Sequence, residues 1–171
     1  MAECTTRLTD IGRGMLVSWS EGCGDSDPKS TATSALTYAP LGYIETRGES
    51  DTPRTVTSNT DISGVDTDTR IVGTDTEITV SLLDAKDLVD VTTQQALRDY
   101  YDAEVEAGRD PSMWIRITDP LLGVYRYYFC VPTSLGRSGE NEGNRTAEMT
   151  FTRTATNTPT NKSKQVETIP A

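Results

Sequence analysis

Apolar positions along the second half of the chain follow a helical period first and a strand period afterwards. Ala96, Leu97, Tyr100, Tyr101 and Val105 recur three and four residues apart, which places them on one helical stripe. Thr92-Thr93-Gln94-Gln95 just before that stripe reads as a capping box, a Thr oxygen taking a first-turn N–H and a Gln side chain reaching back to the cap. Gly108 and then Pro111 supply the stop, so the pattern predicts a helix over 92–107. Strands are predicted next over 114–118, 125–131 and 146–154. The last alternates cleanly, with Met149 and Phe151 on one side and Glu148, Thr150, Thr152 and Thr154 on the other. Between the last two strands, 135–144 has no apolar residue after Leu135 and three glycines, and reads as an exposed, mobile turn.

The first half is more polar. A short strand is predicted near 15–19, followed by a Gly/Asp/Ser/Thr stretch over 21–34. A second polar stretch covers 60–76. Both exceed the usual length of a connection, and such segments recover their ordering cost when they fold against a neighbour. The end of the chain, 158–171, lacks periodicity and is expected to be a flexible tail.

Composition sharpens this picture. The chain has 171 residues, enough for one domain with a real core, yet only 35% are hydrophobic. Thr is about one residue in six, and its strand propensity and polar tip suit wet β surface. The formal net charge of -10 argues against holding nucleic acid through clustered cations. There is no His, which removes the commonest general base and transition-metal ligand. The acid pairs Asp66 with Asp68 and Glu140 with Glu142 are what chance gives among 26 acidic residues, so no catalytic residue is assigned. Asp66, Asp68 and Glu77 have calcium-loop spacing, but Arg70 and Ile71 occupy places that need a ligand and a glycine; a solvated acidic loop is expected, with no metal and no cofactor. Cys4, Cys23 and Cys130 are odd in number and irregularly spaced, which argues against a disulfide framework, and Cys130 reads as a small core residue. The Tyr125-Tyr127-Tyr128-Phe129 cluster reads as packing. No apolar run reaches the length of a membrane span, and 1–20 holds no signal-peptide core, so a chain made and used without export is expected.

A strand ending in Val131-Pro132-Thr133-Ser134, a polar Gly/Asn turn, then a Glu148-x-Thr150-Phe151-Thr152-x-Thr154 strand resembles the end of the major tail tube protein of long, non-contractile-tailed bacteriophages. Segments 41–46, 54–59 and 77–83 fall where that family has its early strands, so the likeness spans roughly 41–157. The implied fold is a β-rich α+β domain, a β-sandwich or half-barrel of about seven strands with one flanking helix, closing into a β-barrel channel on oligomerisation. The tube domain would cover 1–157. The resemblance implies a structural virion protein, not an enzyme, forming stacked hexameric rings through which DNA passes without specific binding. Its partners would be further copies, the tape measure protein, the tail terminator and the tail tip proteins, with no membrane; its place would be the virion tail, assembled in the host cytoplasm. Thr55, Thr57, Asp61, Glu77, Thr79, Ser81, Glu148, Thr150 and Thr152 would line the lumen, with Val56, Ile78, Val80, Met149 and Phe151 facing the core. Arg47, Arg54, Asp66, Asp68, Arg70, Arg126 and Arg153 are the candidates for contacts between subunits. A secreted or surface β-sandwich binding module, or a secretion-system tube of the same general fold, stands as the alternative.

Overall fold

The structure, a computed structural model, describes residues 16–30, 32, 36–42, 44–58, 68–83, 91–138, 146–156 and 162–170, with backbone alone at 57, 58, 68, 83 and 91–93. The elements are β1 (Leu16–Glu21), β2 (Ala39–Pro40), β3 (Ile44–Ser58), β4 (Asp68–Leu83), α1 (Val91–Glu106), β5 (Met113–Asp119), β6 (Val124–Ser138), β7 (Thr146–Arg153) and β8 (Lys164–Thr168). All strands join one antiparallel sheet of order β2-β1-β5-β6-β7-β4-β3, with β8 attached to β6. The sheet is not closed.

β6 is the joint of the molecule. Its first half pairs with β5 on one side and β8 on the other, whereas Cys130 to Ser138 pairs with β7. The change of partner falls at Tyr128 to Cys130, and a register shift follows within the β7 pairing between Pro132 and Ser134, where proline has no N–H to give the ladder. Beyond it the sheet folds back, so that Glu49 of β3 meets Arg126 and Tyr128 of β6, and Asp51 meets Lys164 of β8. The result is the β-rich half-barrel or sandwich with one helix on its flank.

The inner faces enclose the main core, built from Val17 and Trp19, Ile78, Val80 and Leu82, Ile115 and Ile117, and Ala147, Met149 and Phe151, with Leu97 from the helix. On the other face of β5 and β6, Trp114, Tyr127 and Phe129 pack under Leu36 and Tyr38. These two strands are therefore covered on both faces, which accounts for apolar runs where β4 and β7 alternate. The aromatic cluster is packing, as read from the sequence, and Cys130 is fully buried.

Several boundaries differ from expectation. The described residues form eight strands, and 164–168, expected in a tail, is one of them, β8. The segments 41–46 and 54–59 belong mostly to one long strand, β3, whose Gly48 to Pro53 stretch is polar because β3 is an edge, where proline is tolerated. Of the polar stretch 60–76, the part from Asp68 onward is strand β4, and 60–67 lies outside the described residues. An extended strand cannot wrap a cation, so the calcium-like spacing has no loop to serve. The expected turn at 135–144 starts later, since Leu135 to Ser138 pair with β7; 139–144 lie outside the described residues. Within 21–34, residues 22–30 fold onto the chain's own surface, with Trp114 Nε1 donating to the Cys23 carbonyl at 3.3 Å and Tyr38 Oη to that of Pro28 at 3.0 Å.

The helix lies within a residue of its expected span, but its buried stripe is different. Leu97 is fully buried and Tyr100 partly so, its ring tilted against Trp19 with centroids 5.9 Å apart, while Ala96 and Val105 are exposed. The stripe is completed by Gln94, whose Nε2 donates to the Leu41 carbonyl at 2.9 Å. Gln95 Nε2 donates to Asp99, one turn on, and its Oε1 accepts from Arg137. At the far end Gly108, at φ +69°, donates to the Val105 carbonyl, and Arg109 N–H donates to that of Glu104. That is a Schellman close.

Candidate functional site: a continuous polar sheet face

Residues directly opposite in antiparallel strands project to the same face, so register assembles the site row by row. One row carries Thr46, Ser81, Glu148 and Gly136 on β3, β4, β7 and β6; the next carries Gly48, Thr79, Thr150 and Ser134; a third begins Ser50, Glu77, Thr152. The reverse side of the same strands is apolar in β4 and β7, where Ile78, Val80, Leu82, Met149 and Phe151 are buried. Six of the nine expected lumen residues, Glu77, Thr79, Ser81, Glu148, Thr150 and Thr152, thus lie together on one polar face.

Of the other three, only Thr55 is described with its side chain. Thr55 is exposed on β3 but lies beyond a register shift after Arg54, opposite Ile71. Thr57 pairs through its backbone with Thr69, and Asp61 lies outside the described residues. Val56, expected in the core, is 54% exposed in the same outer part of the hairpin.

Thr46, Gly48, Ser50 and Ser134 were not legible as members of this face. β3 alternates polar with polar, since its inward positions are Arg47, Glu49 and Asp51, so no apolar partner betrays the period. Gly48 has its own reason: a Cβ there would come within 2.5 Å of Thr79 Oγ1. Its absence lets β3 and β4 close up beside a groove of about 260 Å³ lined by Thr46, Thr79, Ser81, Glu148 and Thr150.

The candidate contact cations are largely engaged within the chain. Arg126, with its side chain 22% exposed, donates to Glu49 and Asp119, both at 2.9 Å. Burial alone would lower its pKa, but Asp119 and Glu49 outweigh that and raise it. Arg153 donates to the Thr74 carbonyl, and Arg54 pairs with Asp75 at 2.6 Å on an exposed surface. Arg47 projects toward the inner side, where its Nη1 is buried without a hydrogen-bond partner among the described residues. Arg70 is exposed, Asp68 pairs through its backbone with Ser58, and Asp66 lies outside the described residues. The fold-back of the sheet explains the difference: it draws Arg126 and Glu49 into the gap between layers, which no spacing in the sequence reveals. Nowhere among the described residues do three metal-ligating acidic, Cys or His side chains gather.

No family model matches the sequence, and no curated protein matches it. Solved structures do match it. A chain of the virion of a native gene transfer agent particle shares 15% identity at a TM-score of 0.52, over 84% of this chain and 93% of that one. A chain of the tail of an empty gene transfer agent particle, of C6 symmetry, shares 14% identity at 0.52, over 93% and 98%. The SPP1 tail tube shares 14% identity at 0.53, over 94% and 80%. What is common at such identity is the path of the backbone.

Proposed function

We propose that this chain, which has the phage tail tube-like fold, is a structural subunit of a virion tail that polymerises into a tube. The observation that carries the reading is the continuous polar face across β3, β4, β7 and the end of β6, backed in β4 and β7 by the main apolar core. Six copies arranged side by side in a ring would join these faces into the wall of a channel, and closure would remove the free edge of β3. Stacked rings would then form the tube. Glu77 and Glu148 make the wall acidic, and over a Debye length of roughly 8 Å acidic walls repel phosphate, so DNA passes without being held. The tape measure protein would occupy the channel before DNA does, and the terminator and tip proteins would cap its ends. Assembly would take place in the host cytoplasm and the product would reside in the virion tail.

A second reading, a secretion-type tube of the same fold, is favoured by a likeness to the anti-feeding prophage baseplate at 9% identity and a TM-score of 0.50, over 94% of this chain and 97% of that one. The two readings part at the cargo. Negative-stain microscopy of the purified protein is expected to show rings or tubes, and monomers at every concentration would favour a lone binding module instead. In virions, Glu77→Lys with Glu148→Lys is expected to leave tubes intact and slow DNA delivery. Delivery at the parental rate would show that this face does not line a DNA channel.

A further inference from the structure

β8 has a partner strand on one side only. It pairs antiparallel with Val124 to Tyr128, while Phe129 N–H donates to the Ser163 carbonyl and Ile169 N–H to that of Gly123, both at 2.9 Å. Along such a ladder, residues alternate between aiming their N–H and C=O at the partner strand and away from it. Those two bonds fix the phase. Ser163, Gln165, Glu167 and Ile169 aim theirs at β6, so the backbone groups of Lys164, Val166 and Thr168 point out from the sheet. Among the described residues nothing pairs with them. The edge is open to solvent, with Val166 56% exposed.

Beside this edge lies a groove of about 380 Å³ lined by Lys29, Lys162, Lys164, Gln165 and Val166. The sequence holds four lysines, and three of them meet here in a chain of net charge -10. Lys164 has a partner within the chain, its Nζ lying 3.0 Å from Asp51. Lys29 and Lys162 hydrogen-bond through their backbones alone among the described residues, the N–H of Lys29 to Asp27 and the carbonyl of Lys162 from Gln165 Nε2. Their ammonium groups are left for another molecule.

We infer that the free edge of β8 receives an extended acidic segment of a separate protein, which adds to the sheet as a further strand. Its backbone pairs with Lys164, Val166 and Thr168, and its carboxylates meet Lys29 and Lys162. Lysine on an edge ordinarily guards against pairing. Here the guard selects: it repels the β8 edge of another copy, which carries the same charges, and attracts a strand bearing carboxylates. A small anion would meet the lysines and leave the backbone groups unpaired. The inference goes beyond the tube reading, because the polar face lies on β3, β4, β7 and the end of β6, whereas β8 is attached to the first half of β6.

The test titrates the full chain against a short fluorescein-labelled peptide alternating Glu with Thr, followed by anisotropy. The chain's overall negative charge repels this probe, so attraction is confined to the groove. Saturable binding is expected, at least tenfold weaker for the same peptide with Gln in place of Glu. Lys29→Gln with Lys162→Gln is expected to weaken binding at least tenfold at unchanged circular dichroism. Val166→Pro removes an outward N–H, a change that edge strands tolerate, and is expected to weaken binding likewise. A peptide methylated at every backbone nitrogen keeps its charge and loses its donors, so it reads the same point whether or not the proline variant folds, and at least tenfold weaker binding is expected. Equal binding by the methylated peptide would reduce the contact to charge attraction and overturn strand addition, as would binding that ignores the lysine substitutions or no saturable binding at all. Assembled tubes are expected to bind the peptide as the free chain does. Loss of binding on assembly would show that a neighbouring copy holds the edge, overturning the separate partner and leaving the tube reading standing.

Discussion

Asp119 shows how much one side chain is asked to do. It is 2% exposed, closes the β5–β6 turn through Leu122 N–H, and anchors Arg126, which in turn holds Glu49 of the facing layer. Burial on its own would raise its pKa, but the Leu122 N–H and the Arg126 guanidinium outweigh burial and hold it below the usual carboxylate value. A carboxylate lowered in the folded state contributes stability that is complete above the unfolded value of about 4 and is lost as pH falls through the folded one. Urea midpoints of the parent are thus expected to fall steeply below about pH 4. Asp119→Asn should lower the midpoint at pH 7 and flatten the acid limb; an unchanged limb would mean that other carboxylates control acid unfolding. Cys130 works the other way, since burial pushes its thiol up and keeps it protonated, as suits a small core residue.

At the scale of elements, β8 is the piece whose importance the pattern hides. It covers the second edge of Val124 to Tyr128, while Lys164 pairs with Asp51 at 3.0 Å and Glu167 accepts from Tyr127 Oη at 2.6 Å and from Ser30 N–H at 2.9 Å. It fastens the facing layer and the 22–30 segment to β6 at once. Ending the chain before Lys162 is expected to cost about 2–4 kcal/mol, from a handful of hydrogen bonds worth roughly 1 kcal/mol each. Urea unfolding measures that loss. Hydrogen exchange should show faster exchange along Val124 to Tyr128 and in 22–30, and unchanged protection in both would show that β8 merely rests on the sheet. The helix makes the contrast, because its stop is local: only a residue at ease with φ +69° closes the Glu104–Arg109 turn, so Gly108 marks the boundary in sequence and in structure alike.

For the whole molecule, charge sets the condition for assembly. Each copy carries -10, so stacking concentrates like charge, and exposed ion pairs worth about 0–1 kcal/mol each do not offset it alone. Protein that is monomeric at low ionic strength is expected to polymerise more readily as salt rises, followed by light scattering with microscopy. Steady dissociation with added salt would instead mean that specific bridges control the joint. That Arg126 and Arg153 are already engaged inside the chain makes repulsion the stronger influence. The sequence by itself determined the helix and its glycine stop, the strands β5 and β7 and the first half of β6, the apolar and polar sides of β7, and the β-rich class, because each rests on short-range period and local backbone chemistry. Only the tertiary structure decided that β3 is one long edge strand, that residues 164–168 are a strand, and that Gln94 rather than Ala96 faces inward. It also brought Glu49 beneath Arg126. Those outcomes depend on which surface arrives opposite a segment when the sheet folds back along β6, and a polar residue carries no mark of whether water or a distant partner will satisfy it.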